Sequence, residues 1–348
     1  MRFSTFHLFN QTPGESFEQV YERELEIIDY LEELGFDGIW VAEHHFRDYG
    51  TCPNTLSLLA YLAARTERLL LGSAIVVLPL HDPKRVAEEA AMVDLLSGGR
   101  LRLGVGRGYQ AAEFEAFGLE LSEARDRFDE CLDILDLAWS GDSAAYKGEF
   151  YNVADVKFVP QPLQRPQPPV WVAAVSPETV ERYARRGLPI LIDPTATFRN
   201  AARASETWHA IAPEEAQNGQ LCISRFVHVA ESEEVARDEI ATLDQRADPS
   251  RFIQEANAPI DRKTGRMASG FEFWERQYMK GATVDADFRW ENQELAGDPE
   301  RVIGQIKMLE SFGFGELICD FGNTRQLTVD ETKRAIRRFA EHVMPAFR

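Results

Sequence analysis

Apolar residues along the chain recur with two spacings that alternate from the first residues to the last. Segments such as "FDGIWVAE" (36–43) and "RLRLGVGRG" (100–108) are nearly continuous apolar runs, as expected for strands covered on both faces. Between such runs, segments such as "SFEQVYERELEIIDYLEELG" (16–35) place apolar residues on one face of a helix. The predicted strands cover residues 2–9, 36–43, 68–79, 100–108, 168–175, 188–193, 220–230 and 315–322. The predicted helices cover residues 16–35, 54–66, 82–99, 123–141, 176–187, 199–212, 232–247, 298–313 and 329–347.

The alternation of strands with helices is the pattern of an α/β protein. Eight repeats favour a closed (β/α)8 TIM barrel, a single domain over residues 1–348, and leave an open doubly wound sheet as the alternative. The chain is longer than a minimal barrel of about 250 residues. Residues 146–169 are proline-rich with a possible hairpin, and residues 251–296 lack clear periodicity, so both segments are predicted to be insertions.

Composition and charge argue against several classes of binding partner and metal site. A formal net charge of −19 argues against nucleic acid and anionic membranes, because both need positive patches on a protein. The cysteines (Cys52, Cys131, Cys222 and Cys319) are far apart in sequence, so no zinc or redox pair is visible. The first residues lack a signal-peptide pattern, and the longest apolar stretch is too short to span a bilayer. We therefore expect a cytoplasmic protein.

Two adjacent histidines follow the second predicted strand, in "WVAEHHF". Neighbours in an extended chain point to opposite sides, so Glu43 and His45 share one side and His44 faces the other. Barrel enzymes carry their active sites at this end of the strands, where a histidine can act as general acid or base. The alternatives are two histidines in a polar loop, or a metal site. A metal site is disfavoured because the adjacent rings diverge and no HExxH motif is present.

The fourth predicted strand ends in "GVGRGYQ", which starts at Gly104. It departs from the dinucleotide-binding pattern, because Tyr109 stands where the third glycine belongs. Its glycines, among them Gly106 and Gly108, allow a flat ligand to approach the backbone, and Arg107 offers a planar fork for a phosphate. The alternative is a tight turn with a solvated arginine.

The segment "SPETVERYA" predicts a helix start. Ser176 is the expected N-cap, Pro177 occupies the first helical position, and Thr179 the third. Two hydroxyls beside the N–H groups of a helix start can bind an anion, although an ordinary cap explains the same residues.

Together, "EHHF", "GSAIVVLPLHDP", "GRLRLGVGRG" and "SPETVERYA" occur in order along the chain. This combination resembles the flavin-dependent bacterial luciferase family of monooxygenases, and it is most similar to the family's alpha chains. The similarity covers nearly the whole chain. It implies a (β/α)8 barrel that takes reduced FMN from a separate flavin reductase as a co-substrate. With O2, such an enzyme oxygenates an apolar aldehyde, ketone or related organic substrate through a C4a-peroxyflavin.

The resemblance assigns roles by position. His44 matches the catalytic histidine of the family, and Arg107, Ser176 and Thr179 match its phosphate ligands. The resemblance also implies a cis peptide bond that does not involve proline, beneath the flavin ring. The implied cofactor-binding residues are Ala74 and Ile75, which form that bond, and Gly106, Arg107, Val175, Ser176 and Thr179. No metal is expected.

Some implications concern the surroundings of the site. A homodimer is implied, with His45 near Glu88 of the partner subunit and an interface formed by residues 54–64 and 86–96. Residues 251–296 match the mobile active-site loop of the family. Gly106 stands where luciferase has a reactive cysteine, which predicts more space beside the flavin. Val175 replaces an acidic residue, so light emission is not implied.

The substrate is predicted only as a class. A pocket bordered by Phe6, Trp40, Tyr109 and Trp290 favours an apolar carbonyl compound. The alternatives are an F420-dependent oxidoreductase of the same fold, a non-catalytic flavin-binding subunit and a metal-dependent barrel hydrolase.

Overall fold

A closed barrel of parallel strands forms the centre of the protein. The computed structural model describes residues 1–47, 49–174, 176–216, 221–246, 260–261, 266–267, 286–323 and 325–348. The barrel strands, in spatial order, are β1 (Arg2–His7), β2 (Gly38–Val41), β3 (Leu70–Ser73), β5 (Leu101–Gly106), β8 (Val170–Ala173), β9 (Ile190–Ile192), β10 (Leu221–Val229) and β14 (Phe314–Asp320). Pairing of β9 with β10 and of β14 with β1 closes the ring, which confirms the predicted (β/α)8 barrel and excludes the open sheet.

Shorter strands lie at the edges of the barrel. Strand β4 (Val76–Val77) pairs with β5, and β13 (Leu295–Gly297) pairs with the end of β10. A hairpin is present as β6 (Ser143–Lys147) and β7 (Asn152–Lys157), and it begins just before the proline-rich segment in which it was predicted. A second, two-residue hairpin pairs β11 (Ile260–Asp261) with β12 (Arg266–Met267).

Several helices begin at a residue whose side chain caps the first turn. Ser16 and Thr328 each form a capping box, in which side chain and backbone satisfy each other across the first turn. Asn54, Asp82 and Ser176 also accept from backbone N–H groups of the first turn. The helices are α1 (Phe17–Leu34), α2 (Thr55–Arg65), α3 (Pro83–Leu96), α4 (Ala111–Ala116), α5 (Ala124–Ala138), α6 (Pro177–Ala184), α7 (Phe198–Ile211), α8 (Glu233–Arg246), α9 (Ala286–Asn292), α10 (Pro299–Ser311) and α11 (Val329–His342).

Aromatic residues fill the inside of the barrel. Trp40 is only 1% exposed and meets Trp171 edge to face at 5.6 Å, while its Nε1 donates to Glu316 Oε1 at 2.7 Å. A Cβ at Gly72 would lie 2.3 Å from the Trp40 ring, so glycine is needed there. The prediction that Trp40 borders a substrate pocket is therefore wrong, because its indole is a core side chain.

The segment predicted as an irregular insertion over residues 251–296 ends in regular structure. Helix α9 and strand β13 occupy its last part, and α9 is short enough to show little periodicity. Trp290 of α9 is 2% exposed, between the guanidinium groups of Arg237 and Arg301 at 4.3 and 4.9 Å from its ring centroid. It is therefore not available as a pocket wall. Most of the predicted mobile loop lies outside the described residues.

Two further predictions concern the chain as a whole. The four cysteines are free and buried. Within the part of the chain that the structure describes, no helix is long and apolar enough to cross a membrane.

Candidate active site

The predicted site residues gather at one side of the barrel mouth. Strands β2, β3, β5 and β8 are consecutive neighbours in the parallel barrel, so their C-terminal ends lie side by side. His44 follows β2, the Ala74–Ile75 pair follows β3, and Arg107 follows β5. Ser176 follows β8, and Val175 lies outside the described residues. The fold thus brings together motifs that are far apart in the sequence.

The His44 ring is oriented by one nitrogen. Its Nδ1 lies 2.9 Å from Nε2 of Gln110 and 3.3 Å from Oε1 of Glu113. The ring contacts the Tyr49 ring with centroids 5.2 Å apart, and Gly50, with φ of +71°, allows the close approach of the imidazole. The side chain is 12% exposed. Among the residues that the structure describes, none is hydrogen-bonded to its Nε2.

Glu113 and Gln110 are site residues that the sequence reasoning missed. Glu113 is buried, and its Oε1 also accepts from the His45 backbone N–H at 3.0 Å. Gln110 is buried as well, and its Oε1 has no hydrogen-bond partner in the structure as described. The available signal was two long polar residues three positions apart just after the strand, a spacing that places both on one helix face.

Two tyrosines of this region keep their protons, Tyr49 against the His44 ring and Tyr109 near Glu113 and Gln110. Burial raises the pKa of Tyr109 to about 12, and the negative charge of Glu113 adds to the effect. Burial also raises the pKa of Tyr49 well above its ordinary value, with Tyr109 adding to the effect. Both phenols are therefore neutral near pH 7 and can donate hydrogen bonds.

His45 faces the opposite way and belongs to a second cluster. Its Nε2 lies 3.0 Å from Glu43 Oε1, which confirms that Glu43 and His45 share one side of the chain. Nε2 of His81 lies 2.8 Å from the same oxygen, a neighbour that the sequence did not predict. Burial opposes the charge on Glu43, but the hydrogen bonds from the two imidazoles outweigh it and lower its pKa. The three side chains place possible metal-ligating atoms within 4.8 Å of one another.

The end of β3 has the backbone geometry that the resemblance implied. The peptide bond between Ala74 and Ile75 is cis, and the Ala74 N–H donates to the Val41 carbonyl at 2.8 Å. The extra space predicted beside Gly106 is absent. A Cβ at that glycine would lie 2.2 Å from Cδ1 of Ile75, so the isoleucine side chain already fills the gap.

The start of α6 presents two hydroxyls after β8, and Arg107 follows the neighbouring strand β5. Ser176 Oγ accepts from the Thr179 N–H at 3.3 Å and lies 2.7 Å from Thr179 Oγ1. Burial and Asp129 raise the pKa of Tyr183 in the same helix, and the positive charge of Arg107 works against them. Arg107 therefore lies close enough to α6 for its charge to act there. A cation, two hydroxyls and a helix N-terminus form a donor set suited to a phosphate.

The chain is similar to known oxygenases along its whole length. A sequence profile described as "Luciferase-like monooxygenase" matches residues 1–316. The oxygenase component of the flavin-dependent trigonelline monooxygenase of Acinetobacter baylyi is 28% identical over 100% of this chain and 96% of its own. The alkanal monooxygenase alpha chain of Photorhabdus laumondii is 28% identical over 99% of this chain and 97% of its own.

Solved structures show the same architecture. The monooxygenase RslO1 from Streptomyces bottropensis has a TM-score of 0.80 at 25% identity, over 100% of both chains. The oxygenating constituent of 3,6-diketocamphane monooxygenase from Pseudomonas putida, in complex with FMN, has a TM-score of 0.77 at 18% identity over 99% of this chain and 98% of its own. An F420-dependent secondary alcohol dehydrogenase has a TM-score of 0.75 at 17% identity, over 100% of this chain and 99% of its own, so these last two share the fold alone. The chain belongs to the luciferase-like monooxygenase family.

Proposed function

We propose that the protein is the oxygenase component of a two-component monooxygenase. It takes reduced FMN from a separate flavin reductase and O2 from solution, and it inserts one oxygen atom into an apolar aldehyde, ketone or related organic compound. The proposal is supported by the placement of an arginine, two hydroxyls and an oriented histidine at the ends of β5, β8 and β2, on one side of the barrel mouth. A cytoplasmic location remains part of the proposal.

The residues at the mouth fit FMN by their chemistry. Arg107, Ser176 and Thr179 supply the cation and hydroxyls that a phosphate monoester needs. The backbone at Ala74, Ile75 and Gly106, with Val175 after β8, would hold the flat ring. When bound, reduced flavin supplies the electrons that activate O2. The protein's own residues bind the phosphate, orient the ring and manage protons at the mouth.

His44 has the geometry of a proton-transfer group. Its Nδ1 is held inside the protein by Gln110 and Glu113, while Nε2 is the nitrogen left for a bound reactant. In this proposal, Nε2 accepts or donates the proton that the oxygenation requires. Tyr49, whose ring contacts His44, is a neutral phenol, as is Tyr109 near Glu113.

The substrate is proposed at the level of its class. With Trp40 and Trp290 buried in cores, Phe6 and Tyr109 are the predicted pocket residues that remain. Phe6 packs with the aromatic core of the barrel and is only partly buried, so it is positioned to meet an apolar group that enters the mouth.

Oxygen-18 labelling tests the function directly. We would mix the protein with reduced FMN, 18O2 and a panel of aldehydes and cyclic ketones, and analyse the products by mass spectrometry. One 18O atom in the product is the expected result. Substrate oxidation that needs F420 and consumes no O2 would establish the alternative oxidoreductase. Flavin binding without turnover across the panel would favour the non-catalytic subunit.

The phosphate site has its own matched test. Arg107→Gln is expected to weaken FMN binding about 10- to 100-fold, because a charge-assisted contact contributes about 1.5–3 kcal/mol. Arg185→Gln removes an equal charge from the exposed C-terminal end of α6 and should leave the dissociation constant unchanged. Equal effects of both variants on FMN titrations would remove Arg107 from the site.

We also propose that the protein is a homodimer that uses α2 and α3. Large apolar side chains are exposed on these helices, with Leu96 at 61% and Tyr61 at 52%. Phe46, beside the histidine pair, is 71% exposed. His45 Nε2 already contacts Glu43, so Glu88 of the partner subunit would have to meet its Nδ1. Light scattering should give twice the chain mass, and Leu96→Glu should shift the protein toward monomer.

A further inference from the structure

We propose that Glu113 is a positioning residue that fixes the tautomer of His44. In this assignment Nδ1 carries the ring hydrogen and donates it to Glu113, so that Nε2 is left as the basic nitrogen. The inference rests on the proposed function, in which His44 moves a proton. It names the residue that decides which nitrogen is available.

The hydrogen-bond contacts of the His44 imidazole are all at one of its two nitrogens, Nδ1. Gln110 and Glu113 both approach Nδ1, at 2.9 and 3.3 Å. Across the parts of the chain described above, no hydrogen bond reaches Nε2. The state of Nδ1 therefore determines the state of Nε2, because a neutral imidazole has one donor and one acceptor nitrogen.

The carboxylate favours one of the two tautomers. An ionised carboxylate only accepts hydrogen bonds, so a lone pair on Nδ1 would face a second lone pair across 3.3 Å. A hydrogen on Nδ1 converts this repulsion into a hydrogen bond to a charged acceptor. The same Oε1 accepts from the His45 N–H at 3.0 Å, and the side chain is only 2% exposed. Glu113 is thus held in place with little access to water.

Gln110 can accommodate the tautomer that Glu113 selects. Rotating its amide by 180° exchanges the oxygen and the nitrogen beside Nδ1, so this residue can either accept or donate. Its Oε1 has no partner among the described residues, whereas its nitrogen, which lies beside Nδ1, is also hydrogen-bonded to Tyr109. After the rotation the oxygen takes the place of the nitrogen, where it can accept from both Nδ1–H and the neutral Tyr109 phenol. The amide therefore supports either state of the ring, and the carboxylate decides between them.

The assignment has a consequence for proton transfer. When Nε2 takes a proton from a bound reactant, a new N–H bond forms at Nε2 while the Nδ1–H bond remains. The ring becomes an imidazolium that faces the Glu113 carboxylate in a buried setting. The carboxylate thus stabilises the charge that develops on His44 and holds the ring in position.

Nitrogen NMR tests the tautomer without any turnover. The protein would be labelled with 15N-histidine and its seven histidines assigned with the help of a His44→Gln variant. In neutral His44 of the unaltered protein, we expect the non-protonated nitrogen to be Nε2. In Glu113→Gln, which keeps the shape but loses the charge, we expect a mixture of tautomers. Glu115→Gln, an exposed change in the same helix, should leave the His44 signals unchanged. A hydrogen on Nε2 in the unaltered protein, or one tautomer throughout, would overturn the assignment.

Kinetics separates positioning from general damage. Glu113→Gln should lower kcat about 100-fold, the scale of general acid–base catalysis, and leave the dissociation constant of reduced FMN unchanged. Glu113→Asp keeps the charge and should retain more activity than Glu113→Gln. If the spectra agree with the assignment but no substrate turns over, the proposed function fails and the tautomer assignment stands. If His44→Ala loses turnover and Glu113→Gln keeps it, the positioning role of Glu113 is wrong.

Discussion

The two adjacent histidines occupy regions with different chemistry, although one peptide bond joins them. The mouth cluster consists of His44, Tyr49, Gln110 and Glu113, and its imidazole keeps one nitrogen without a hydrogen bond from the described residues. The outer cluster consists of Glu43, His45 and His81, where one carboxylate oxygen receives two imidazole nitrogens at 3.0 and 2.8 Å. The alternation of side chains in an extended segment separates the two regions.

The comparison shows how neighbouring carboxylates can serve different ends. In the outer cluster, the Glu43 Oε1 is hydrogen-bonded to both rings, so the buried charge is compensated within the protein. In the mouth cluster, Glu113 holds one nitrogen of a ring whose other nitrogen has no hydrogen bond from the described residues. A satisfied polar group stabilises the fold, whereas an open one is available for chemistry. The outer cluster should therefore control stability, and the mouth cluster turnover.

Replacing each of the two histidines by alanine should give the largest difference in product formation. His44→Ala removes the open nitrogen and should lower product formation about 100- to 10,000-fold. His45→Ala leaves the mouth contacts in place and should change product formation less than about tenfold. FMN titrations should show binding by both variants. A loss of equal size in both variants, with both proteins folded, would contradict the division of roles.

Much of the barrel was predictable from sequence because both faces of its strands are buried. Continuous apolar runs over residues 36–43, 100–108 and 168–175 marked the strands that the structure has as β2, β5 and β8. The expected N-cap Ser176 marked the start of α6. The opposite orientation of His44 and His45 also followed from local geometry. These are properties of short segments, and short segments are what a single sequence displays.

The errors arose where side chains from distant segments meet. Nothing near Gly106 in sequence indicates that Ile75 fills the space beside it. Trp40 and Trp290 were predicted to line the substrate pocket. In the structure, Trp40 packs against Trp171 inside the closed barrel, and Trp290 packs against two arginines beside α9. The contact between His81 and Glu43 was also missed, because the two residues are far apart in sequence and meet only through the pairing of β2 with β3. Such contacts depend on the register of the closed barrel.

Removing the shared carboxylate should break the outer cluster. Glu43→Leu leaves the buried imidazole of His45 and the partly exposed imidazole of His81 without their acceptor, and it should lower the free energy of unfolding by about 3–5 kcal/mol. Glu22→Leu, an exposed change on α1, should alter it by less than about 0.5 kcal/mol. Urea unfolding curves measure both. A small loss in Glu43→Leu would show that the fold does not depend on the cluster.

Stability should also depend on pH through His81. Burial disfavours its charged form, but the hydrogen bond and charge of Glu43 outweigh burial and raise its pKa above the ordinary 6.5. A raised pKa means that the native state binds the proton more tightly than the unfolded chain. The resulting stabilisation is complete below about pH 6.5 and is lost as the pH rises through the folded-state pKa. His81→Gln should remove this decline from urea midpoints measured between about pH 6 and 9.

His228 provides a control, because its pKa is shifted in the opposite direction from that of His81. Burial lowers its pKa despite the contact with Glu239, so its stabilisation is present above about pH 6.5 and is lost as the pH falls. His228→Gln should therefore flatten the acid side of the curve and leave the alkaline decline in place. An unchanged alkaline decline in His81→Gln would assign that slope to another group.

Metal addition and removal should have the smallest effect, and they test whether the outer cluster is held by hydrogen bonds. Ligands of a tetrahedral zinc ion at 2.0–2.1 Å would lie about 3.3 Å apart. The Glu43 oxygen lies 3.0 and 2.8 Å from the His45 and His81 nitrogens, which are hydrogen-bond distances. We therefore expect EDTA or equimolar zinc to shift the Tm by less than about 1 °C, which corresponds to less than about 0.7 kcal/mol for a chain of this length. If zinc raises the Tm of the unaltered protein and His81→Gln abolishes that rise, the outer cluster is a metal site. Stabilisation by zinc requires that the ion binds the native state, and loss of the effect would show that His81 is one of its ligands.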